Sequence, residues 1–259
     1  MTQSELIKTL KRIGWVSLFF ASAALVISAI ERKDASLAKE VIVDIAPLPD
    51  STWLINESDI LTSIQRSFGF QFQGLPLNAL DVERLERVLK EDPFILDADV
   101  FVDAKNMVHI GVEQREPKLR IIDKNGLNYY LDENGYKMPL SKHFSARVLV
   151  ATGNIPPHVP DFQTRKRHVL KDLFYLKDLI LEDEFYSALI EQIYVSNRNN
   201  YILIPKVGKQ KIILGGMDDI EDKLKRLKVF YEEAVPYEGW RKYKTINLSF
   251  KDQVVCKKR

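Results

Sequence analysis

Residues 13–30 read IGWVSLFFASAALVISAI and contain no charged side chain. Eighteen residues rising about 1.5 Å each make a helix of roughly 27 Å. That nearly matches a hydrocarbon core about 30 Å thick. The stretch therefore predicts a transmembrane helix, Ile13–Ile30, in contact with the lipid bilayer. Residues 1–12 form a short tail before it, and the rest of the 259-residue chain follows as one long mixed-polarity segment. A cleaved signal peptide is the alternative. Its apolar region is usually about 7–15 residues and ends at a small-x-small site. Here Ala21-Ser22-Ala23 falls inside the run, and Ser28-Ala29-Ile30 leads into Glu31. Lys8, Lys11 and Arg12 precede the run, against Arg32 and Lys33 after it, a bias that keeps the N-terminus cytoplasmic. Long domains translocate largely regardless of flanking charge, so the bulk of the chain is expected outside.

Composition bounds what that bulk can be. Hydrophobic content of 46% suffices for sizeable cores, and the length suits two domains. Beyond residue 30 there are 35 basic and 35 acidic side chains, so this part is formally neutral. A nucleic-acid-binding domain would show a basic excess, and so would a surface built for acidic lipids. One cysteine, Cys256, excludes an internal disulfide and fits a bacterial envelope protein.

Residues 31–39 read as a polar linker. A strand follows at Glu40–Ala46, with Val41, Val43 and Ile45 on one face. Asn56 can cap a helix, with Asp59 three residues on and Gly69 at its end. Asp81 caps a second helix, whose Val82, Leu85, Val88 and Leu89 share a face. Two strands, Ala98–Val102 and Met107–Glu113, flank a turn at Ala104-Lys105-Asn106. The order is strand, helix, helix, strand, strand. After Pro117 the pattern changes. Strands are expected at Leu119–Ile122, Leu127–Leu131, Arg147–Ala151, Gln192–Ser196, Tyr201–Ile204 and Lys211–Leu214. Helices are expected at Thr164–Leu181 and Asp219–Ala234, with Asp218 as N-cap of the latter. Lys244–Phe250 reads as the last strand, followed by the apolar piece Val254-Val255-Cys256 and a basic end at residues 257–259.

No catalytic constellation emerges. His109, His143, His158 and His168 lack metal-ligand spacing, and there is no H-E-x-x-H or G-x-S-x-G. Leu214-Gly215-Gly216 lacks the Lys-Ser/Thr of a P-loop, and Asp218 and Asp219 stand where a phosphate would lie. Asp132-Glu133-Asn134-Gly135 reads as turn chemistry. No catalytic residue, cofactor or metal is expected. A membrane-anchored envelope enzyme acting on cell-wall material is the competing reading, and convergent carboxylates in a deep polar pocket would favour it.

The first compact segment resembles a POTRA module. The resemblance is carried by Pro93-Phe94-Ile95, Ala98-Asp99-Val100 and the closing Val112-Glu113-Gln114-Arg115-Glu116-Pro117. The whole order is similar to the FtsQ/DivIB family of bacterial cell-division proteins. Here the carriers are Tyr129-Tyr130-Leu131-Asp132 with Gly135 and Met138-Pro139, Leu214-Gly215 before a helix with Lys223-Leu224, and Lys242-Tyr243-Lys244-Thr245-Ile246-Asn247-Leu248. Gln253-Val254-Val255-Cys256 adds to them. The resemblance implies an α+β chain divided as 1–12 tail, 13–30 transmembrane helix, 31–39 linker, 40–117 POTRA-like domain, 118–256 β domain with a mainly antiparallel sheet flanked by helices, and 257–259 tail. It further implies a non-catalytic scaffold in the inner membrane at the division septum, with periplasmic domains that dock FtsB/FtsL-type partners.

Lys244–Phe250 is expected to be an uncovered edge strand. Ile246 and Leu248 should face the core, and Phe250 is a candidate aromatic anchor. The expected partner-binding set is Thr245, Asn247, Leu248, Ser249, Phe250, Gln253 and Val254. In the family resembled, the last strand is where the small coiled-coil partner pairs.

Overall fold

A computed structural model describes residues 14–25, 28, 36–69, 73–239 and 242–259. Residues 14–25 are helical. Ile13 and the residues around the end of the expected span lie outside the described set. No helix among the described residues is long and apolar enough to cross a membrane. Trp15, Leu18, Phe19, Phe20 and Leu25 on the helical stretch are all exposed. The chain divides into two compact units, one holding residues up to 51 and 55–114, the other residues 52–54 and 115–259.

In the first unit the order is β1 (Glu40–Ala46), α1 (Glu57–Phe68), a 3-10 turn at Leu77–Ala79, α2 (Val82–Lys90), β2 (Ile95–Val102) and β3 (Met107–Gln114). The expected strand–helix–helix–strand–strand order is what forms. Asn56 caps α1 in a reciprocal capping box with Asp59, and Gly69 closes it in a left-handed conformation at φ 78°. Asp81 caps α2 by accepting the Arg84 N–H. β3 lies between β1, which runs parallel to it, and β2, which runs antiparallel. The core joins Ile60 and Ile64 of α1 and Leu85 and Leu89 of α2 to Val100, Val108, Ile110 and Val112 of the sheet. Each such side chain contributes about 1.5–3 kcal/mol by leaving water.

The second unit follows the order β4 (Leu119–Ile122), β5 (Asn128–Leu131), β6 (Lys137–Met138), β7 (Leu149–Gly153), α3 (Val169–Glu182), α4 (Glu184–Leu189), β8 (Ile190–Val195), β9 (Tyr201–Pro205), β10 (Lys211–Gly215), α5 (Ile220–Glu233), α6 (Val235–Glu238), β11 (Tyr243–Asn247) and β12 (Val255–Lys258). These strands make one sheet in the order β12-β11-β10-β9-β8-β7-β4-β5-β6. It is mixed but mainly antiparallel: β4–β5, β5–β6, β8–β9, β9–β10 and β11–β12 pair antiparallel, while β4–β7, β7–β8 and β10–β11 pair in parallel. Helices α3 and α4 carry the chain from β7 to β8, and α5 carries it from β10 to β11. A parallel neighbour needs such a crossover. The helices bury Leu170, Leu173, Leu176, Leu224 and Leu227 against Ile193, Leu203, Ile212 and Leu214 of the strands.

Four local expectations are corrected. Helix α3 starts at Val169 rather than Thr164, because His168 adopts the extended cap conformation. The N-cap of α5 is Asp219, held at φ 48° without a side-chain cap bond, while Asp218 reaches Lys223 instead. The strand expected at Lys244–Phe250 ends at Asn247. The segment after it is not an apolar tail but β12, which pairs antiparallel with β11 and covers it. The formal neutrality beyond residue 30 also divides unequally. Residues 36–114 carry 6 basic and 14 acidic side chains, a net −8, and residues 115–259 carry 27 and 19, a net +8.

Candidate functional site: an open sheet edge

One end of the large sheet is β12, and β6 is the other. The pairing of β12 with β11 matches Asn247 with Val255, Ile246 with Cys256 and Thr245 with Lys257. Backbone polar groups alternate sides along a strand. The Arg259 N–H donates to the Lys242 carbonyl at 3.2 Å, so Arg259, Lys257 and Val255 face inward along the ladder. Opposite them, the Leu248 N–H donates to the Ile213 carbonyl of β10 at 2.8 Å, which turns Asn247 and Thr245 towards β12. The main-chain groups of Cys256 and Lys258 therefore point out of the sheet, as an unpaired row of the kind to which another chain can add a strand.

The loop joining β11 to β12 is fixed from below by α5. The Arg226 Nη1 donates to the Phe250 carbonyl at 2.9 Å and also to the Gln253 carbonyl, and its Nη2 donates to the Leu248 carbonyl at 3.3 Å. Its Nε donates to Asp222 at 2.8 Å. A planar guanidinium with five donors is suited to gathering several carbonyls at once. Asn247 adds a local brace, accepting both the N–H and the hydroxyl of Ser249. The loop passes so close to the end of β10 that a Cβ on Gly215 would meet the Ser249 Cβ at 2.9 Å, and Gly215 also adopts φ 76°. Both facts call for glycine at that position.

Lys223, 3% exposed, holds the turn between β10 and α5. Its ammonium donates to the Gly216 carbonyl at 3.0 Å and to Asp218 at 3.2 Å. The hydrogen bond from Lys223 keeps the Asp218 carboxyl below the usual carboxylate range. At the edge, burial pushes the Cys256 thiol up, which favours the neutral thiol.

The expected partner-binding residues fall into three groups. Phe250 is 50% exposed on the loop, and Ser249 and Gln253 are exposed beside it. Thr245, Asn247 and Val254 are half-buried. Leu248 is fully buried in the core with Ile246, so its side chain supports the site from behind. Arg226 and β12 are what sequence reading missed. The guanidinium's partners are backbone carbonyls 22 to 27 positions away, which no motif encodes. The edge is also strongly cationic. Residues 242–259 hold six Lys/Arg, including Lys244, Lys257, Lys258 and Arg259, against the single acid Asp252.

The histidines are dispersed. His109 meets Asp103 at 3.2 Å and stacks on Phe101, while His158 and His168 both pack on Phe162. Among the described residues no three His, Cys, Asp or Glu side chains are grouped to hold a metal ion. Asp132 does turn chemistry, accepting the Asn134 and Tyr136 N–H groups and pairing with Arg115 at 2.7 Å.

These features define a two-unit α+β protein, a POTRA-like module in series with a mixed-sheet unit that ends in an open strand. The match to the POTRA-like domain model spans residues 20–113 and covers most of the first unit. Residues 116–257, more than half of the chain, match the model described as FtsQ/DivIB, C-terminal related, and the chain belongs to that family. A similar protein is the cell division protein FtsQ of Rhodothermus marinus, 27% identical over 231 residues that cover 83% of this chain and 84% of the relative.

Proposed function

We propose that this protein is a non-catalytic, membrane-anchored scaffold of the bacterial division machinery that captures partner chains by strand addition to β12. The open row of main-chain groups on β12, reached through a loop that Arg226 holds, is the observation that carries this reading. Family membership and the FtsQ relative support the division role. The partners are FtsB/FtsL-type bitopic proteins. The added strand hydrogen-bonds to Cys256 and Lys258, Phe250 supplies an aromatic anchor at the rim, and Ser249 and Gln253 flank it. Residues 13–30 form the anchor in the inner membrane, with the tail 1–12 in the cytoplasm and the linker 31–39, the POTRA-like domain 40–117 and the β domain 118–256 in the periplasm at the septum. The exposed apolar faces of the helix at residues 14–25 support that placement.

The test is capture of a purified FtsB/FtsL-type pair by the full chain in detergent. Cys256→Pro removes an outward N–H and leaves the inward ladder bonds intact, so capture should fall while the melting temperature changes little. Phe250→Ala should weaken capture by about 2 kcal/mol or more if the ring is an anchor. Undiminished capture by both variants would overturn strand addition at this edge.

A further inference from the structure

We propose a second binding site in the C-terminal unit, separate from the open edge: a cationic groove that takes an acidic peptide segment carrying an aliphatic residue. The groove, of about 730 Å³, lies where the parallel strands β4, β7 and β8 begin, against the last turn of α3. Leu149, Ile180 and Ile190 form its floor, and Leu181 stands 42% exposed beside them.

Its rim carries cations whose partners are neutral. The Arg120 Nε donates to the Asn128 side-chain carbonyl at 3.0 Å, and its Nη1 to the Ser145 hydroxyl at 3.4 Å. The Lys206 ammonium donates to the Ser187 carbonyl at 2.8 Å. Arg147 is exposed. The wall that bears it is pinned, because the Ala146 N–H donates to the buried Tyr130 hydroxyl at 3.1 Å. These contacts hold Arg120 and Lys206 in place without neutralising them. Lys118 differs, being paired with Glu116 at 2.6 Å. Glu191 is the one other carboxylate of the lining, so Arg120, Arg147 and Lys206 leave a net positive rim.

Three arguments fix the occupant. Held cations lose less side-chain entropy when an anion arrives. The volume falls in the range of about 300–1,000 Å³ of pockets for organic ligands, far more than an inorganic anion fills. An apolar floor under a charged rim calls for carboxylates on either side of an aliphatic side chain, which an acidic peptide supplies. The net +8 of residues 115–259 adds attraction at longer range.

The experiment titrates the full chain in neutral detergent with a fluorescent peptide of alternating Glu and Leu. Binding should saturate and weaken with salt. The double variant Arg120→Glu/Arg147→Glu should bind about tenfold more weakly, while Cys256→Pro binds as the parent does. Should charge reversal at Arg120 disturb folding, Arg147→Ala alone, at an exposed position, should still weaken binding measurably. The proposal is overturned by unchanged binding in these groove variants, by loss of binding in Cys256→Pro, by full competition from inorganic phosphate at equal concentration, or by tighter binding to anionic phospholipid vesicles than to the peptide.

Discussion

His168 follows a proline-stiffened loop and begins α3, and its Nδ1 accepts the Leu170 N–H at 3.2 Å. An accepting nitrogen carries no proton. Protonation would remove the cap and add positive charge at the positive end of a helix. Burial lowers the His168 pKa, aided by Arg165 and opposed by Asp161 and Asp172. Burial also lowers that of His158, which shares Phe162 with His168; Lys137 and His168 add to the effect, and the Gly135 carbonyl opposes it. Unfolded histidines titrate near about 6.5. With folded values below that, the unfolded chain binds protons first as the pH falls. Stability from these groups is therefore complete above about 6.5 and drains away as the pH drops below it. His168→Asn keeps a capping acceptor that does not titrate. Its melting temperature should fall less steeply than the parent's between about pH 7 and pH 5, and superimposable profiles would refute the idea. At this scale, caps of ordinary chemistry were legible: Asn56 and Asp81 announce themselves because each satisfies N–H groups two or three residues on. A histidine cap is not, since imidazole serves only in its neutral form.

The hairpin of β11 and β12 shows how an element can be fixed by another it does not resemble. Arg226 on α5 holds three carbonyls of the loop between them, with its side chain 16% exposed. Arg226→Lys offers a point charge that cannot span the three acceptors. The expected loss is about 1–3 kcal/mol of stability. Capture of a partner at β12 should fall as well, although Arg226 itself presents no outward group, and capture at parental strength would show that the loop needs no such hold. Elements with strong periodicity were read from sequence nearly to their ends, as with β3 and α5. β12 was not, because Val255-Cys256-Lys257-Lys258 is short, basic and without alternation, and only its cross-strand neighbours make it a strand. The parallel pairs of the large sheet were equally hidden, since nothing local distinguishes a strand that returns through a helix beside its predecessor from one that turns back on itself.

At the scale of the whole molecule, the uncharged run at residues 13–30 carries the expectation of an anchored topology. Protease added outside the inner membrane should digest the chain beyond about residue 39 and leave the anchor, while protection of the large units would refute that orientation. A charge count over everything beyond residue 30 conceals its division into a net −8 and a net +8, because a sum says nothing about where the fold parts the chain. The strand order of the large sheet has a further consequence. β7 is the fifth neighbour of β12, and strands lie about 4.8 Å apart, so the open edge and the groove at the start of β7 are separated by roughly 24 Å across the sheet. Two short segments of one flexible partner could then be held together, the first raising the effective concentration of the second to about the millimolar range. Two contacts, each weak and quickly released, would multiply into a long-lived complex by about 10²- to 10⁴-fold, and the loss of either would return the partner to rapid exchange.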